Sequence, residues 1–221
     1  MPEHKILYLS QADVQSLGVT MPEIIAALEV AFREHAEGRT EMPPKPGVHS
    51  RPDAFIHAMP AYIPALHSIG VKWVSGYPEN GQRGLPYING LLILNDEETG
   101  MPLAVMDCTW ITALRTGAAT ALAAKYLARP ESQTVGILGC GVQGRSNLVA
   151  LKAQFPLKRV VAYDLVPEHC ARFAKLARQW GLEVIETQDP REAVVASDLV
   201  VTAGPILRQP HATIKAGSAR G

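Results

Sequence analysis

The pattern of apolar and polar positions changes character partway along the chain. Up to about Arg129-Pro130, short strands and helices are mixed; beyond it they alternate regularly. Residues 5–9 (KILYL) predict a strand, and the capping-box pair Ser10 and Asp13 predicts a short helix after it. Thr20-Met-Pro-Glu23 starts a second helix, with Ile24, Leu28, Ala31, Phe32 and His35 on one face and Gly38 ending the run. Met42-Pro-Pro-Lys-Pro46 is incompatible with a helix and predicts an extended connector. Residues 54–59, 69–75 and 87–94 read as strands, and 102–106 returns as a hairpin strand after the turn Asp96–Gly100. Residues 109–128 form a helix rich in small residues, a surface that another backbone or a ligand can approach closely.

From residue 134 the order is strand (134–138), glycine turn, helix (142–154), strand (159–164), helix (167–180), strand (183–186), helix (190–196) and strand from 199. Strands separated by helices imply a parallel sheet. Their nearly continuous apolar character fits a sheet covered on both faces. The predicted class is therefore α/β: the first half of a doubly wound, Rossmann-type parallel sheet, preceded by a mixed α/β domain. The domains are placed at 1–128 and 129–221, with the four later strands in the order 3-2-1-4.

Composition removes several classes of function. Apolar residues make up 47% of the 221, enough for a real core. Lys+Arg and Asp+Glu both number 21, so no basic surplus favours nucleic acid. No apolar run approaches the roughly 20 residues of a membrane span, and the first residues lack a signal-peptide layout. Cys108, Cys140 and Cys170 are odd in number and widely spaced, which fits reduced thiols in a cytoplasmic protein. The seven histidines form no HxH or HxxxH pair, so no metal site is expected. His57, within a strand, reads as a core or rim histidine. Glu97-Glu98 reads as a solvated turn, and no nucleophile elbow supports a Ser/His/Asp site.

The candidate chemistry lies in Gly139-Cys-Gly141-Val-Gln-Gly144, set between a strand and a helix. The first glycine permits the tight turn, the second lets the backbone approach a pyrophosphate, and the third lets helix and strand pack. The helix N-terminus then meets the phosphates. Asp164 ends the next strand 25 positions after Gly139, where an acid accepts hydrogen bonds from the adenosine ribose. A carboxylate there repels a 2′-phosphate, so NAD is expected over NADP. Two cations stand out. Lys72 interrupts an apolar strand, with Ile69, Val71 and Trp73 on the alternate face; it either snorkels to solvent or faces a polar cavity. Arg115, among small and apolar residues, either salt-bridges or grips a carboxylate.

Taken together, Met42-Pro-Pro, Met59-Pro-Ala-Tyr62, Gly70–Gly76 and Met106–Thr120, followed by the glycine loop, resemble the ornithine cyclodeaminase/mu-crystallin family from about residue 5 to about 215. That family also contains archaeal-type alanine dehydrogenases and ketimine reductases. The resemblance implies a homodimer whose first domain binds substrate and dimerises, and an NAD-dependent reaction on a small amino or imino acid. It gives Lys72 contact with the substrate amino acid and a part in proton transfer. It places Arg115 beside the substrate carboxylate and the cofactor, with Thr116 adjoining, and makes Lys45 a second carboxylate contact. Val142 and Gln143 match positions whose backbone meets the pyrophosphate, Asp164 the ribose acid, and Thr202 a threonine near the cofactor.

The chain departs from the family at its end. Where members run on through the rest of the Rossmann sheet and a loop with a catalytic aspartate, this chain stops after its fourth strand. A truncated gene product is the expectation. The alternatives to an enzyme are a binding protein of the mu-crystallin type and an inactive fragment with an exposed sheet edge.

Overall fold

A computed structural model describes residues 4–204 and 212–214. The sequence after Ile214, where the likeness to the family fades, lies outside the described residues. The chain divides into two compact units, Met1–Thr112 and Ala113–Gly221. The division falls inside one helix, α3 (Thr109–Leu127), whereas the change in sequence character at Arg129-Pro130 marks the start of the parallel alternation.

The first unit is built on a six-stranded sheet. Its strands are β1 (Leu7–Leu9), β2 (Gly47–Val48), β3 (Phe55–Ile63), β4 (Ser68–Gly76), β5 (Ile88–Asn95) and β6 (Pro102–Asp107), in the spatial order β1-β6-β5-β4-β3-β2. All neighbours are antiparallel except β1 and β6. The predicted hairpin is present, and the turn before it is closed by Asp96, which accepts from the Thr99 N–H and hydroxyl at 2.7 and 2.5 Å. Strand β3 runs on through Met59-Pro-Ala-Tyr62, farther than its apolar pattern suggested. The short β2 pairs Gly47 with His57 at the end of the proline-rich connector.

Two helices precede most of this sheet. In α1 (Gln11–Ser16), the Ser10 side chain caps the Asp13 N–H while Asp13 accepts from the Ser10 N–H at 2.8 Å. In α2 (Met21–Ala36), Glu23 accepts from the Thr20 N–H at 2.7 Å. The predicted inner face of α2 needs correction. Met21 and Ile25 are its buried residues, and Phe32 is 55% exposed. The helix packs at the 3₁₀ turn Pro64–Leu66, an element with no periodic signal in the sequence.

The second unit is a parallel sheet of β7 (Thr134–Leu138), β8 (Arg159–Tyr163), β9 (Glu183–Glu186) and β10 (Leu199–Thr202). The order is β10-β7-β8-β9, which is the predicted 3-2-1-4. The helices α4 (Val142–Gln154), α5 (Pro167–Gln179) and α6 (Pro190–Val195) connect successive strands. Burial follows position: Val135, Ile137, Val160 and Val161 on the central strands are almost fully buried. The outer strands β9 and β10 are more exposed. Helix α5 inserts Cys170, Phe173, Ala174 and Ala177, the predicted face. Burying a side chain such as Phe173 contributes about 1.5–3 kcal/mol. Close approach is achieved with glycine: a Cβ at Gly136 would lie 2.1 Å from the Ala193 carbonyl oxygen, so α6 packs directly on β7.

Asp198 ties this unit's strands together at their amino ends. Its carboxylate accepts from the N–H groups of Gln133 and Thr134 at 2.9 and 3.0 Å and pairs with Arg129 at 3.0 Å. Those backbone bonds hold its pKa below the ordinary aspartate value.

Candidate active site

The glycine loop lies at the carboxyl end of β7, and each glycine is there for a separate steric reason. Gly139 has φ +107°, a left-handed conformation that penalises any side chain. A Cβ on Gly144 would sit 2.1 Å from the Gly139 carbonyl oxygen, so this residue sets how closely α4 approaches the loop. Gly141 differs from both: a Cβ there would meet nothing within 4 Å. The second glycine thus leaves its backbone open to an incoming group. Helix α4 begins on Gly141 with no side-chain cap, whereas Ser10 and Asp189 cap α1 and α6. Its first amides, in the turn of Val142 and Gln143, remain for a ligand.

Asp164 closes the other side of the loop. Its Oδ2 accepts from the Cys140 N–H at 2.7 Å, and its Oδ1 accepts from the Val166 N–H at 2.9 Å. His169 Nδ1 stands 3.6 Å from Oδ1, and the aspartate side chain is 12% exposed. The carboxylate is therefore oriented before any ligand arrives, at the end of β8 and beside the glycine loop. Cys140, inside the loop, is buried, and burial pushes its thiol pKa far above the ordinary range, with Cys170 and Asp164 adding to the effect.

A cavity of about 400 Å³ opens in the second unit between α3, α4 and the end of β10. Thr116, Gln143 and Thr202, all singled out in the sequence, line it together with Thr120 and Asn147. It lies where the strand order reverses, between β7 and β10, the position at which open α/β sheets bind their ligands. The stripe of small residues on α3 also has a structural use. A Cβ at Gly117 would fall 2.4 Å from the Ser146 carbonyl oxygen, so α3 lies against the α4 backbone.

Asn147 gave no signal in the sequence. It is 4% exposed, donates from Nδ2 to the Gln143 carbonyl at 2.7 Å, and its buried Oδ1 has no hydrogen-bond partner among the described residues. Only tertiary packing reveals an acceptor left open beside a cavity. A dinucleotide fits this set: open amides for its diphosphate, an oriented carboxylate for a ribose, and a cavity edged with hydroxyls and an unused carbonyl.

The cations of the sequence lie on different elements. In the first unit, Met59, Lys72, Leu92 and Met106 are successive cross-strand partners, so Lys72 shares a face with them and, two residues along, with buried Val74. Lys72 is half-buried and close enough to Cys108 to act on its thiol electrostatically, although burial dominates and raises that thiol's pKa. The alternate face, which carries Trp73, is the more open one: Trp73 is 49% and its partner Leu91 47% exposed. Ile69 and Val71, on the same face as Trp73, are half-buried, as Lys72 is. Arg115, on α3 in the second unit, is exposed. Lys45 lies in the connector before β2 and is exposed.

A glycine loop uncapped at its helix, an oriented acid on the next strand and a cavity at the reversal of strand order define a dinucleotide-binding α/β protein of the Rossmann type. The match to known proteins is narrower. The chain belongs to the ornithine cyclodeaminase/mu-crystallin family, whose model matches residues 4–216.

It is 38% identical to Δ1-pyrroline-2-carboxylate reductase of Thermococcus litoralis, solved with NADH and L-proline. The TM-score is 0.86, over 89% of this chain and 61% of that one. It is 41% identical to an archaeal alanine dehydrogenase dimer with bound NAD, with a TM-score of 0.83 over 89% of this chain and 60% of the other. It is 36% identical to the ornithine cyclodeaminase of Agrobacterium fabrum over 72% of this chain and 44% of that protein. The chain thus spans between 44% and 61% of the length of these relatives.

Proposed function

We propose that this chain is part of an NAD-dependent oxidoreductase acting on a small amino or imino acid. The observation that carries the reading is the pairing of open backbone at Gly141 with the Asp164 carboxylate tethered to the Cys140 amide. The relatives solved with NADH and with NAD support the same cofactor here.

In this reading, the amides of Gly141, Val142 and Gln143 hold the diphosphate, with Gly139 and Gly144 shaping the turn. Asp164 accepts from the adenosine ribose hydroxyls and repels a 2′-phosphate. Thr116 and Thr202 lie along the cavity wall, where the reacting half of the dinucleotide would rest. When bound, NAD supplies a hydride acceptor, and NADH a donor, for the substrate α-carbon. Lys45 and Arg115 hold the substrate carboxylate, because two cations fix its orientation better than one. Lys72 polarises the imine or activates the water that attacks it. Its ammonium on a half-buried strand face is suited to handing a proton to a developing amine.

The open face of the first unit's sheet supports self-association. Trp73 and Leu91 form a cross-strand pair on that face, and Tyr8, 76% exposed, extends it through Val105 and Ile93. We infer a homodimer made through this face, and the alanine dehydrogenase relative is itself a dimer.

The test of the cofactor reading is NADH uptake, followed by nicotinamide fluorescence. The unmodified protein should bind, and Asp164→Ala should bind about 10- to 100-fold more weakly, the scale of lost hydrogen bonds to a charged group. Equal affinity in the two proteins would remove Asp164 from the ribose.

A further inference from the structure

The two oxygens of Asp164 have different surroundings. Oδ2 is turned to the glycine loop and accepts from the Cys140 N–H, whereas Oδ1 is turned to the start of α5 and accepts from the Val166 N–H. His169, in the first turn of α5, brings its Nδ1 to 3.6 Å from Oδ1. The carboxylate is largely covered, while the imidazole is 45% exposed. No other cation comes within ion-pair distance of this carboxylate among the described residues. The reading above gives His169 no role.

Few charges surround the imidazole. On α5 itself, Glu168 precedes it, and Arg172 follows one turn on, along the same helix face. Both are exposed, and neither is ion-paired among the described residues. From β9, Glu186 is paired with Arg178 at 3.0 Å, and Glu183 with Arg159 at 3.0 Å at the opposite, amino end of the strands. From β8, Tyr163 packs against Leu138, Val161, Ala193 and Val194. The Cys140 and Cys170 thiols are buried and held uncharged. The charge on which a proton at His169 acts most directly is therefore that of Asp164. With a neutral imidazole this corner is an uncompensated anion. With an imidazolium the pair sums to zero, and Arg172 lies one turn away.

We propose that His169 makes the choice between NAD and NADP depend on pH: the neutral imidazole leaves Asp164 to refuse a 2′-phosphate, and the imidazolium admits it. The proposal rests on the cofactor reading above, in which Asp164 accepts from the adenosine ribose. The loop side of the carboxylate is filled by the Cys140 amide, so the room for a 2′-phosphate is on the Oδ1 side, toward the first turn of α5. Imidazoles change charge between about pH 5 and 8. An imidazolium in this position offsets the carboxylate and can itself donate to a phosphate oxygen. NAD carries a hydroxyl at that point and gains little from the added charge. The coupling is reciprocal: if a proton on His169 tightens NADP, then NADP must tighten the hold of His169 on its proton.

The test is calorimetry with NAD⁺ and NADP⁺ on the unmodified protein, His169→Gln and His169→Lys, at about pH 6 and pH 8. The 2′-phosphate itself titrates near pH 6. The glutamine variant, which has no ionisable group at this position, supplies that baseline. From the higher pH to the lower, the preference for NAD⁺ should narrow at least about fivefold more in the unmodified protein than in His169→Gln, the scale of one unit-charge contact near water. His169→Lys should bind NADP⁺ about fivefold more tightly than the unmodified protein at the higher pH, because its charge is already present. In the unmodified protein, NADP⁺ should raise the pH at which the His169 ring protons titrate, and NAD⁺ should raise it less. This readout needs no variant to fold. Equal narrowing in the unmodified and glutamine proteins, no gain of NADP⁺ affinity in His169→Lys, NADP⁺ uptake at neither pH, or a His169 titration indifferent to NADP⁺ would each overturn the assignment. NAD⁺ uptake is measured separately: its absence refutes the cofactor reading itself, whereas NAD⁺ uptake with a preference that ignores His169 refutes only this role.

Discussion

The two units carry their chemistry by different means. In the parallel unit the site is made mainly of backbone: a left-handed glycine, an open glycine, uncapped helical amides, and one aspartate held by amide bonds. In the antiparallel unit the candidate groups are side chains, Lys45 and Lys72, placed by strand register and by which sheet face is covered. A backbone site is intolerant of added atoms and indifferent to most side-chain chemistry. A side-chain site is the reverse. The two halves should therefore fail differently when mutated.

The largest expected effect is steric and lies in the parallel unit. Gly144→Val places atoms where the Gly139 carbonyl already stands and should cost about 3 kcal/mol or more, read as a lowered melting temperature. An unchanged melt would show that α4 can move off the loop. Next comes the carboxylate that joins the strands. Asp198→Ala leaves the Gln133 and Thr134 amides without their acceptor and should cost about 1–3 kcal/mol in denaturant unfolding.

The same residue fixes a pH dependence. Its pKa is depressed in the folded protein, so its stabilisation is present above the unfolded aspartate value, near 4, and is lost as pH falls through the folded value. The unmodified protein should lose stability on acidification below about pH 4 more steeply than Asp198→Asn. Parallel acid profiles would remove Asp198 as the source.

Smaller effects belong to the first unit. Ser10→Ala should cost about 0.5–1 kcal/mol, because it removes one cap from a short, exposed helix. Trp73→Thr should change the stability of the isolated subunit least, by about 0.5 kcal/mol or less, since the side chain is half exposed and threonine suits a strand. Its effect should appear instead in sedimentation, as a shift toward monomer. A tight dimer of Trp73→Thr would place the interface elsewhere.

The parallel unit was legible almost to the residue. Its strand order, the inward face of α5, and the three glycines with Asp164 all follow from local rules. A glycine loop between strand and helix is a short-range arrangement, and the apolar runs of buried strands have only one way to be covered. In the antiparallel unit, the same reasoning found the strands but not their orientation. The alternation set Lys72 and Trp73 on opposite faces without saying which would be covered; Val74, on the Lys72 face, is buried and Trp73 is half exposed. Helix α2 likewise buries Met21 and Ile25 rather than reaching inward with Phe32. Asn147 and Asp198 gave no signal, because what distinguishes them is partners, or their absence, far away in the chain.

Sequence alone settled that a dinucleotide-type loop exists, on which strand it sits, and which acid accompanies it, because backbone conformation near glycine depends on close neighbours. Tertiary structure decided which sheet face Lys72 occupies, that His57 is stacked on Phe55, and that Trp73 is left half exposed. A period of two says that alternate residues face opposite ways. It carries no information about which way is in, and that follows only from what the rest of the chain lays against the sheet.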